Sequence, residues 1–505
     1  MTRSSQFAVA GIACLSFALT GCGLDPHQAY SPNLKYGIRQ DPIITIKTSE
    51  LGDERYDPDR PGIFPLMKVE DIQKPDHPYY AKRSKLDEKA LRDPARLNAN
   101  DRKELEDALE LLFGTPAKPV VNAKAAECDE SATKDLKVDD KMLALGSTRY
   151  RIHCLHCHGV AGDGRGPTSR WINPHPRDFR QGMFKFQSVD QTTDSGMPPS
   201  RTDLMRTLRQ GLEGTAMPTF NLLKDEELES LISYVIHLSL RGQVEYYVLK
   251  DFEDEKGALV WNQQDKIPAK AKIFLKVYLE QYWAVSQQPD RAIRPAQYPY
   301  DSNDPKALAA SVQRGQQIFA AKPSVDFQRY HALKLAKTEK AGKKLVDALA
   351  AKRAAAKLAD PKIAEEALAK IALTDKEKAD QAVVKDELPE LEKVAFAAEA
   401  LTKAELYLKG ANCASCHTNF GREARYRFDE WGTLVRPNNL SLGNLRGGKR
   451  PVDIYYRVHS GINGSGMAAF GKTFKGHEEY IWDLVNFVSN VPYPSMRKQL
   501  GIQLD

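Results

Sequence analysis

Apolar residues recur at helical spacing in several separated stretches of the chain. In 98–114, NANDRKELEDALELLFG, Leu105, Leu109 and Leu112 share one face behind an Asn or Asp cap, which predicts a helix. In 225–239, DEELESLISYVIHLS, the face is Leu228, Leu231, Ile232, Val235 and Ile236. In 477–491, HEEYIWDLVNFVSNV, it is Tyr480, Leu484, Val485 and Val488. The stretch AKIFLKVYLEQYWAVSQ, 271–287, reads as an aromatic helix, and only QVEYYVL, 243–249, looks like a strand. SVQRGQQIFAAKP, 311–323, also reads as a short helix through Gly315, Ile318 and Phe319, and KAELYLKGANCASCH, 403–417, as an entry helix through Leu406 and Tyr407. Residues 23–100 are rich in Pro, Asp and Tyr with little period, so 22–140 is expected to be an extended arm carrying one helix. Residues 329–399 are dominated by Ala, Lys and Glu, which predicts a solvated helical insertion with a turn at Asp360-Pro361 and a second break near Pro389. The expected fold class is mainly α.

A chain of 505 residues exceeds one core and points to roughly three domains. The net charge of +6 is spread thinly, which permits an acidic partner or an anionic membrane surface. No basic stripe interleaved with aromatics occurs, so nucleic acid is not an expected partner. The first residues change the picture more. Arg3, an apolar run from Phe7 to Leu19 and the closing Leu19-Thr20-Gly21-Cys22 have the pattern of a lipoprotein signal. That makes 1–21 a removable leader and Cys22 a lipidated residue on the periplasmic side of a membrane. A plain signal cut at a small residue is the alternative.

Seven cysteines are present. Cys14 would leave with the leader and Cys22 would take lipid. Cys154/Cys157 and Cys413/Cys416 form two pairs, and Cys128 stands alone, so no disulfide framework is available. Both pairs sit in CxxCH: Cys154-Leu155-His156-Cys157-His158 and Cys413-Ala414-Ser415-Cys416-His417. Thiols three apart can bond the two vinyl groups of one porphyrin, and the adjoining His158 or His417 then faces the iron. A zinc site sharing the two pairs, or a pair of redox dithiols, is the competing reading, though neither requires a His after each pair.

Each motif is followed by a methionine in a repeated frame. Asp203 precedes Met217 by the same interval as Asp453 precedes Met467, and Gly211/Gly461, Gly214/Gly464 and Phe220/Phe470 fall into register. HPRDFRQGMF, 175–184, repeats more faintly as RPNNLSLGNL, 436–445. One haem module is used twice. Met217 and Met467 are therefore the expected axial thioethers, with Met197 and the nearby Met183 as alternatives in the first module. Arg177, Asp178, Arg446, Arg450 and Arg457 are candidates to meet haem propionates or plain surface charges. No phosphate loop, Ser/His/Asp series or HExxH occurs between the modules, so no catalytic residue is assigned.

Both modules resemble class I cytochrome c domains, in which a helix carries CxxCH, a loop delivers a methionine and a last helix crosses the first. MLALGSTRYRIHCLHCHG, 142–159, sets Gly146, Tyr150 and Cys154 at that family's spacing. Ala468 departs from the Pro that usually follows the ligand methionine, as Pro218 does here. The resemblance implies cytochrome domain 1 over 141–242, a linker over 243–310, cytochrome domain 2 over 311–328 with 400–494, and a tail over 495–505. It implies two covalently attached haem c groups and the role of a lipid-anchored electron carrier of a bacterial respiratory chain, similar to lipoprotein cytochromes associated with alternative complex III or oxidases. Its partners would be a quinol-oxidising complex, a terminal oxidase or a soluble cytochrome. A di-haem peroxidase, or a haem subunit of a larger dehydrogenase, is the alternative function.

Overall fold

The computed structural model describes residues 30–41, 43–44, 91–194, 196–301, 303–320, 350–356, 413–424, 427–428 and 434–502. Cys22, nearly all of the 329–399 insertion and residues 403–412 of the expected second entry helix lie outside them. The chain divides into two compact units, 1–295 with 424–472, and 296–423 with 473–505.

The first unit is helical. Helix α1, Ala99–Phe113, starts at Asn98, whose side chain accepts the Asp101 N–H, and buries Leu105, Leu109, Leu112 and Phe113. Helix α2, Asp140–His153, is capped by Asp139 and leads into the single turn α3, Leu155–His158. Helix α4, Arg201–Gln210, opens on a capping box between Ser200 and Asp203. Helix α5, Asp225–Lys250, crosses α2, and helix α6, Ile267–Lys276, continues through wider π-type turns to Ala284. Short two-strand hairpins decorate the unit, such as Gly114–Thr115 with Lys118–Pro119 and Glu253–Glu255 with Ala258–Val260.

Three expectations change here. QVEYYVL is the last third of α5, not a strand: no breaker separates it from the helical face before it, and Val244, Glu245, Val248 and Leu249 are buried within the unit. Surroundings that cover a helix on all sides override the strand preference of Val and Tyr. The 243–310 stretch is accordingly core rather than linker as far as Trp283, with Ala271, Leu275, Leu279 and Trp283 fully buried. Residues 91–140 do not form an extended arm, because α1, a second helix at Glu130–Asp135, and the buried Leu136 and Val138 join the same core.

Helix α2 meets α5 at Gly146. A Cβ there would lie 2.1 Å from the Ser230 carbonyl oxygen and 2.9 Å from the Tyr234 Cβ, so only glycine lets the backbones approach this closely. Tyr150, one turn on and fully buried, donates its hydroxyl to the Gly159 carbonyl (2.9 Å), tying the helix to the loop after the CxxCH.

The second unit pairs helix α7, Pro305–Ala320, with helix α10, Glu479–Asn490. The single turn α8, Cys413–Cys416, also belongs to it. A buried Asp483 carboxylate gathers Ser311 Oγ (2.6 Å), Tyr300 Oη (2.5 Å) and Arg314 Nε (3.0 Å). Asn486 accepts from Tyr298 and donates to Ser311. The expected tail is occupied by a helix at Pro494–Gln499. Helix α9, Pro451–Ser460, follows α8 in sequence but lies in the first unit.

Candidate functional site

The first CxxCH closes α2. Cys154 is buried, Cys157 is half-buried with Sγ 3.4 Å from Thr168 Oγ1, and both are free thiols. Burial pushes the Cys154 thiol up to about 12, so it is protonated in the bare protein. The turn of α3 carries His158 inward; its N–H donates to the Cys154 carbonyl (2.9 Å). The imidazole is buried, which pushes its pKa down to about 4 and keeps it neutral. Nδ1 stands 2.9 Å from the Arg177 carbonyl oxygen. A carbonyl only accepts, so Nδ1 carries the proton and Nε2 keeps its lone pair, as a metal ligand requires. Phe179 stacks on the same ring with centroids 4.5 Å apart, and its N–H donates to the Gly162 carbonyl (2.7 Å). The strap Arg177–Arg180 thus fixes the imidazole's tautomer and its plane.

The methionine loops are near copies. After α4, Gly211 turns at φ +66° and the Leu212 N–H donates to the Met217 carbonyl (3.1 Å). After α9, Gly461 turns at φ +71° and the Ile462 N–H donates to the Met467 carbonyl (3.1 Å). A Cβ on Gly211 would stand 2.8 Å from the Met217 carbonyl oxygen, and on Gly461 2.4 Å from that of Met467. Thr215 Oγ1 and Ser465 Oγ close each loop on the Leu212 and Ile462 carbonyls (2.7 and 2.8 Å). Phe220 and Phe470 return to the Leu208 and Val458 carbonyls. The duplicated sequence therefore makes a duplicated loop closed by the same bonds, to which the first adds one from the Met217 N–H to Thr215 Oγ1 (3.1 Å). Met217 is half-buried against the core of the first unit.

The two helices that precede these loops touch within the first unit. Arg206 of α4 lies 3.0 Å from Asp203, 4.0 Å from Asp453 of α9, and over the Tyr456 ring. Lys449 pairs with Glu213 (3.0 Å), and Ser460 Oγ accepts the Gln191 N–H (3.2 Å).

In the second unit, the His417 N–H donates to the Cys413 carbonyl (2.8 Å), the bond seen at His158. Phe319 of α7 has its ring 6.1 Å from that of His417 and stacks on Phe420 at 5.9 Å. Burial pushes Cys413 up to about 12; Cys416 is half-buried. His417 thus belongs to the second unit and Met467 to the first.

The remaining candidates are placed as follows. Met197 is buried, with its backbone N–H and carbonyl both engaged by Gln191. His156 is exposed, and His153 packs its edge on Phe220. Arg450 is bound to Asp453 (2.8 and 2.9 Å), and Arg457 spans the Arg446 and Gly448 carbonyls. Asp178 holds Arg180 (2.7 Å). Sequence reasoning passed over Arg165, whose Nε and Nη2 are buried without a hydrogen-bond partner, and Arg180, Asp41 and Phe179. RDFR, 177–180, stood in the repeated stretch, but nothing in it signals that Phe179 covers the histidine or that Arg180 is buried.

The donor set fits a haem c: two reduced thiols three apart, a neutral imidazole with Nε2 free, a thioether loop, and orphaned Arg165 donors able to meet an anionic group. Two segments of the chain, 141–235 and 398–488, match the family described as cytochrome c oxidase, cbb3-type, subunit III. No curated protein matches the chain. Among solved structures, a chain of the reducing HAO-like protein complex of Kuenenia stuttgartiensis aligns at 16% identity with a TM-score of 0.38, over 69% of this chain and 96% of that one. The chain is mainly α, and the two matched segments are of c-type cytochrome kind, which implies covalently held haem c and supports haem-based electron transfer. Such domains are typically exported, and among the described residues no helix is long and apolar enough to cross a membrane.

Proposed function

We propose that this chain is a lipid-anchored di-haem cytochrome c that relays single electrons between respiratory-chain partners on the periplasmic side of a membrane. Each haem supplies an iron that cycles between two oxidation states, one electron at a time. Cys154 and Cys157 would anchor the first, with His158 Nε2 and the Met217 thioether as axial ligands. Cys413, Cys416, His417 and Met467 would do the same for the second, and Cys22 would carry the lipid.

The observation that carries the reading is the pair of matching methionine loops, closed by the same backbone bonds at Met217 and Met467. A thioether at both sites favours the reduced iron and leaves neither with an open position for a substrate. That supports a carrier over a peroxidase. In the second domain α7 takes the place of α2, so we read 311–328 with 400–494 as one domain interrupted by the 329–399 insertion. The likeness to an oxidase subunit supports a terminal oxidase as one partner, with a quinol-oxidising complex or a soluble cytochrome as the other.

The test is the full chain made in a host that attaches haem c. Two haems per chain, both low-spin and both showing the thioether-to-iron charge-transfer band when oxidised, are expected, together with a lipid mass on the Cys22 peptide. One haem or none, or a high-spin haem that turns over peroxide, overturns the reading. Co-purification from detergent with a flavin- or molybdenum-containing chain would move it to a dehydrogenase subunit.

A further inference from the structure

Behind His158 lies a buried group of charges that the electron-transfer reading does not use. Asp41 comes from the N-terminal segment, far from the CxxCH in sequence, yet its carboxylate receives Arg180 Nη1 (2.9 Å) and Nη2 (3.2 Å) and Arg39 Nη2 (2.5 Å), and lies 3.5 Å from Arg165. Arg180 also holds Asp178 (2.7 Å). Asp41, Arg39 and Arg180 are each at most 6% exposed. Burial opposes the charge on Asp41, but Arg180, Arg39 and Arg165 together hold its carboxyl well below the usual range. Asp163, in the loop after the CxxCH, accepts the Arg165 backbone N–H (2.9 Å), and burial raises its carboxyl despite the nearby Arg180. Three guanidiniums, Arg39, Arg165 and Arg180, thus face three carboxylates, Asp41, Asp163 and Asp178.

This cluster is joined to the imidazole by the four-residue strap Arg177–Arg180. Arg177 gives His158 its carbonyl, Phe179 stacks on its ring, and Asp178 and Arg180 flank Phe179. Gly242 of α5 permits the approach, since a Cβ there would stand 2.2 Å from the Arg180 Cα. The backbone N–H of Arg39 donates to Glu245 of α5 (2.7 Å), which seats the segment independently of its side chain. A charge in so little water is poorly screened.

We infer that the N-terminal segment is part of the first haem site: Asp41 is a positioning residue that neutralises the arginines behind His158 and so sets the reduction potential of the first haem below the value those arginines alone would give. The inference rests on His158 being an axial ligand, as proposed above. Reduction adds one electron to the iron, so removing a nearby negative charge favours the reduced state and removing a positive charge disfavours it.

The test is a potentiometric titration of the full haem-loaded chain, with the second haem as internal reference. Asp41→Asn is expected to raise the reduced-to-oxidised ratio of the first haem about tenfold at fixed potential, about 59 mV for one electron. Arg39→Gln is expected to lower it. Opposite signs identify charge as the cause, because loosening the strap would move both variants the same way. A shift below twofold in both, or shifts of one sign, overturns the inference. If Asp41→Asn does not fold, Arg39→Lys, which keeps the charge, is the control: a fall in Arg39→Gln with less than a twofold shift in Arg39→Lys supports the inference, and any other result overturns it. Failure of the underlying reading looks different: the unsubstituted chain then carries no haem on Cys154 and Cys157.

Discussion

Gly315 meets the backbone of Asp483 so closely that a Cβ on residue 315 would stand 2.0 Å from the Asp483 carbonyl oxygen. The same Cβ would lie 2.7 Å from Phe487, one turn further along α10. Gly146 stands in this relationship to Ser230 and Tyr234 in the other unit, at 2.1 and 2.9 Å. Four residues on, Tyr150 and Phe319 occupy matching buried positions. The two helix crossings are therefore the same crossing, although a CxxCH follows Gly146 at once and Gly315 only after the insertion.

A methyl group has no room at either glycine. Gly315→Ala is expected to force α7 and α10 apart and to destabilise the second unit by about 1–3 kcal/mol, the usual cost of overpacking a tight contact. Gly146→Ala should cost a similar amount in the first unit. Denaturant unfolding of each variant, followed by helical circular dichroism, measures both; equal stability with the parent at both positions would show that the crossings have room for a methyl group.

How far the sequence foretold this depends on the kind of signal. Period-based faces were legible: Leu105, Leu109 and Leu112 of α1 and Leu228, Leu231 and Ile232 of α5 are all buried. The loop frame was legible because Gly211/Gly461 and Asp203/Asp453 do local work at fixed offsets: positive φ in one pair, helix capping in the other. QVEYYVL misled because its residue types favour strands, while the decisive fact, burial on every side of α5, is set by α1, α6 and the segment near Tyr36. Asp41 gave no signal at all. An aspartate in a Pro-rich stretch reads as a solvated charge, and only the fold brings it against Arg180.

Asp203 invites a second experiment. It is fully buried, accepts the Ser188 N–H at 2.9 and 3.0 Å and the Ser200 hydroxyl at 2.9 Å, and pairs with Arg206 at 3.0 Å. Asp203→Ala leaves those donors unpaired in a buried site and is expected to cost about 3 kcal/mol. Thermal unfolding reads the loss, and a Tm within a degree of the parent would contradict it. Asp203→Asn retains part of the bonding and should fall between the two.

Replacing either methionine tests the repeated loop through the iron it is proposed to serve. Met217→Leu keeps the apolar volume and the thiols, so the haem should stay attached. It should lose its thioether charge-transfer band when oxidised, and its potential should fall by at least about 59 mV, since a thioether favours the reduced iron. Met467→Leu should do this to the other haem alone. If Met217→Leu retains two thioether bands, the buried Met197 becomes the ligand to test next.

His237 provides a pH test that involves no proposed ligand. It is fully buried in α5, its Nε2 lies 2.9 Å from the Phe113 carbonyl oxygen, and burial pushes its pKa down to about 4 from the ordinary 6.5. The ring is neutral in the folded chain and donates from Nε2, because a carbonyl can only accept. Below pH 6.5 the unfolded chain takes up a proton that the folded chain refuses until about pH 4. The stabilisation is thus complete above pH 6.5 and is lost as pH falls through that window, amounting to about 3 kcal/mol by its lower end. His237→Gln can keep the donation to Phe113 without titrating. Its unfolding free energy should fall less steeply between pH 6.5 and pH 4.5 than the parent's, by close to one proton's worth of slope. Parallel curves for the two proteins would mean that acid acts on the fold elsewhere, with the buried His158 the first place to look in protein without haem.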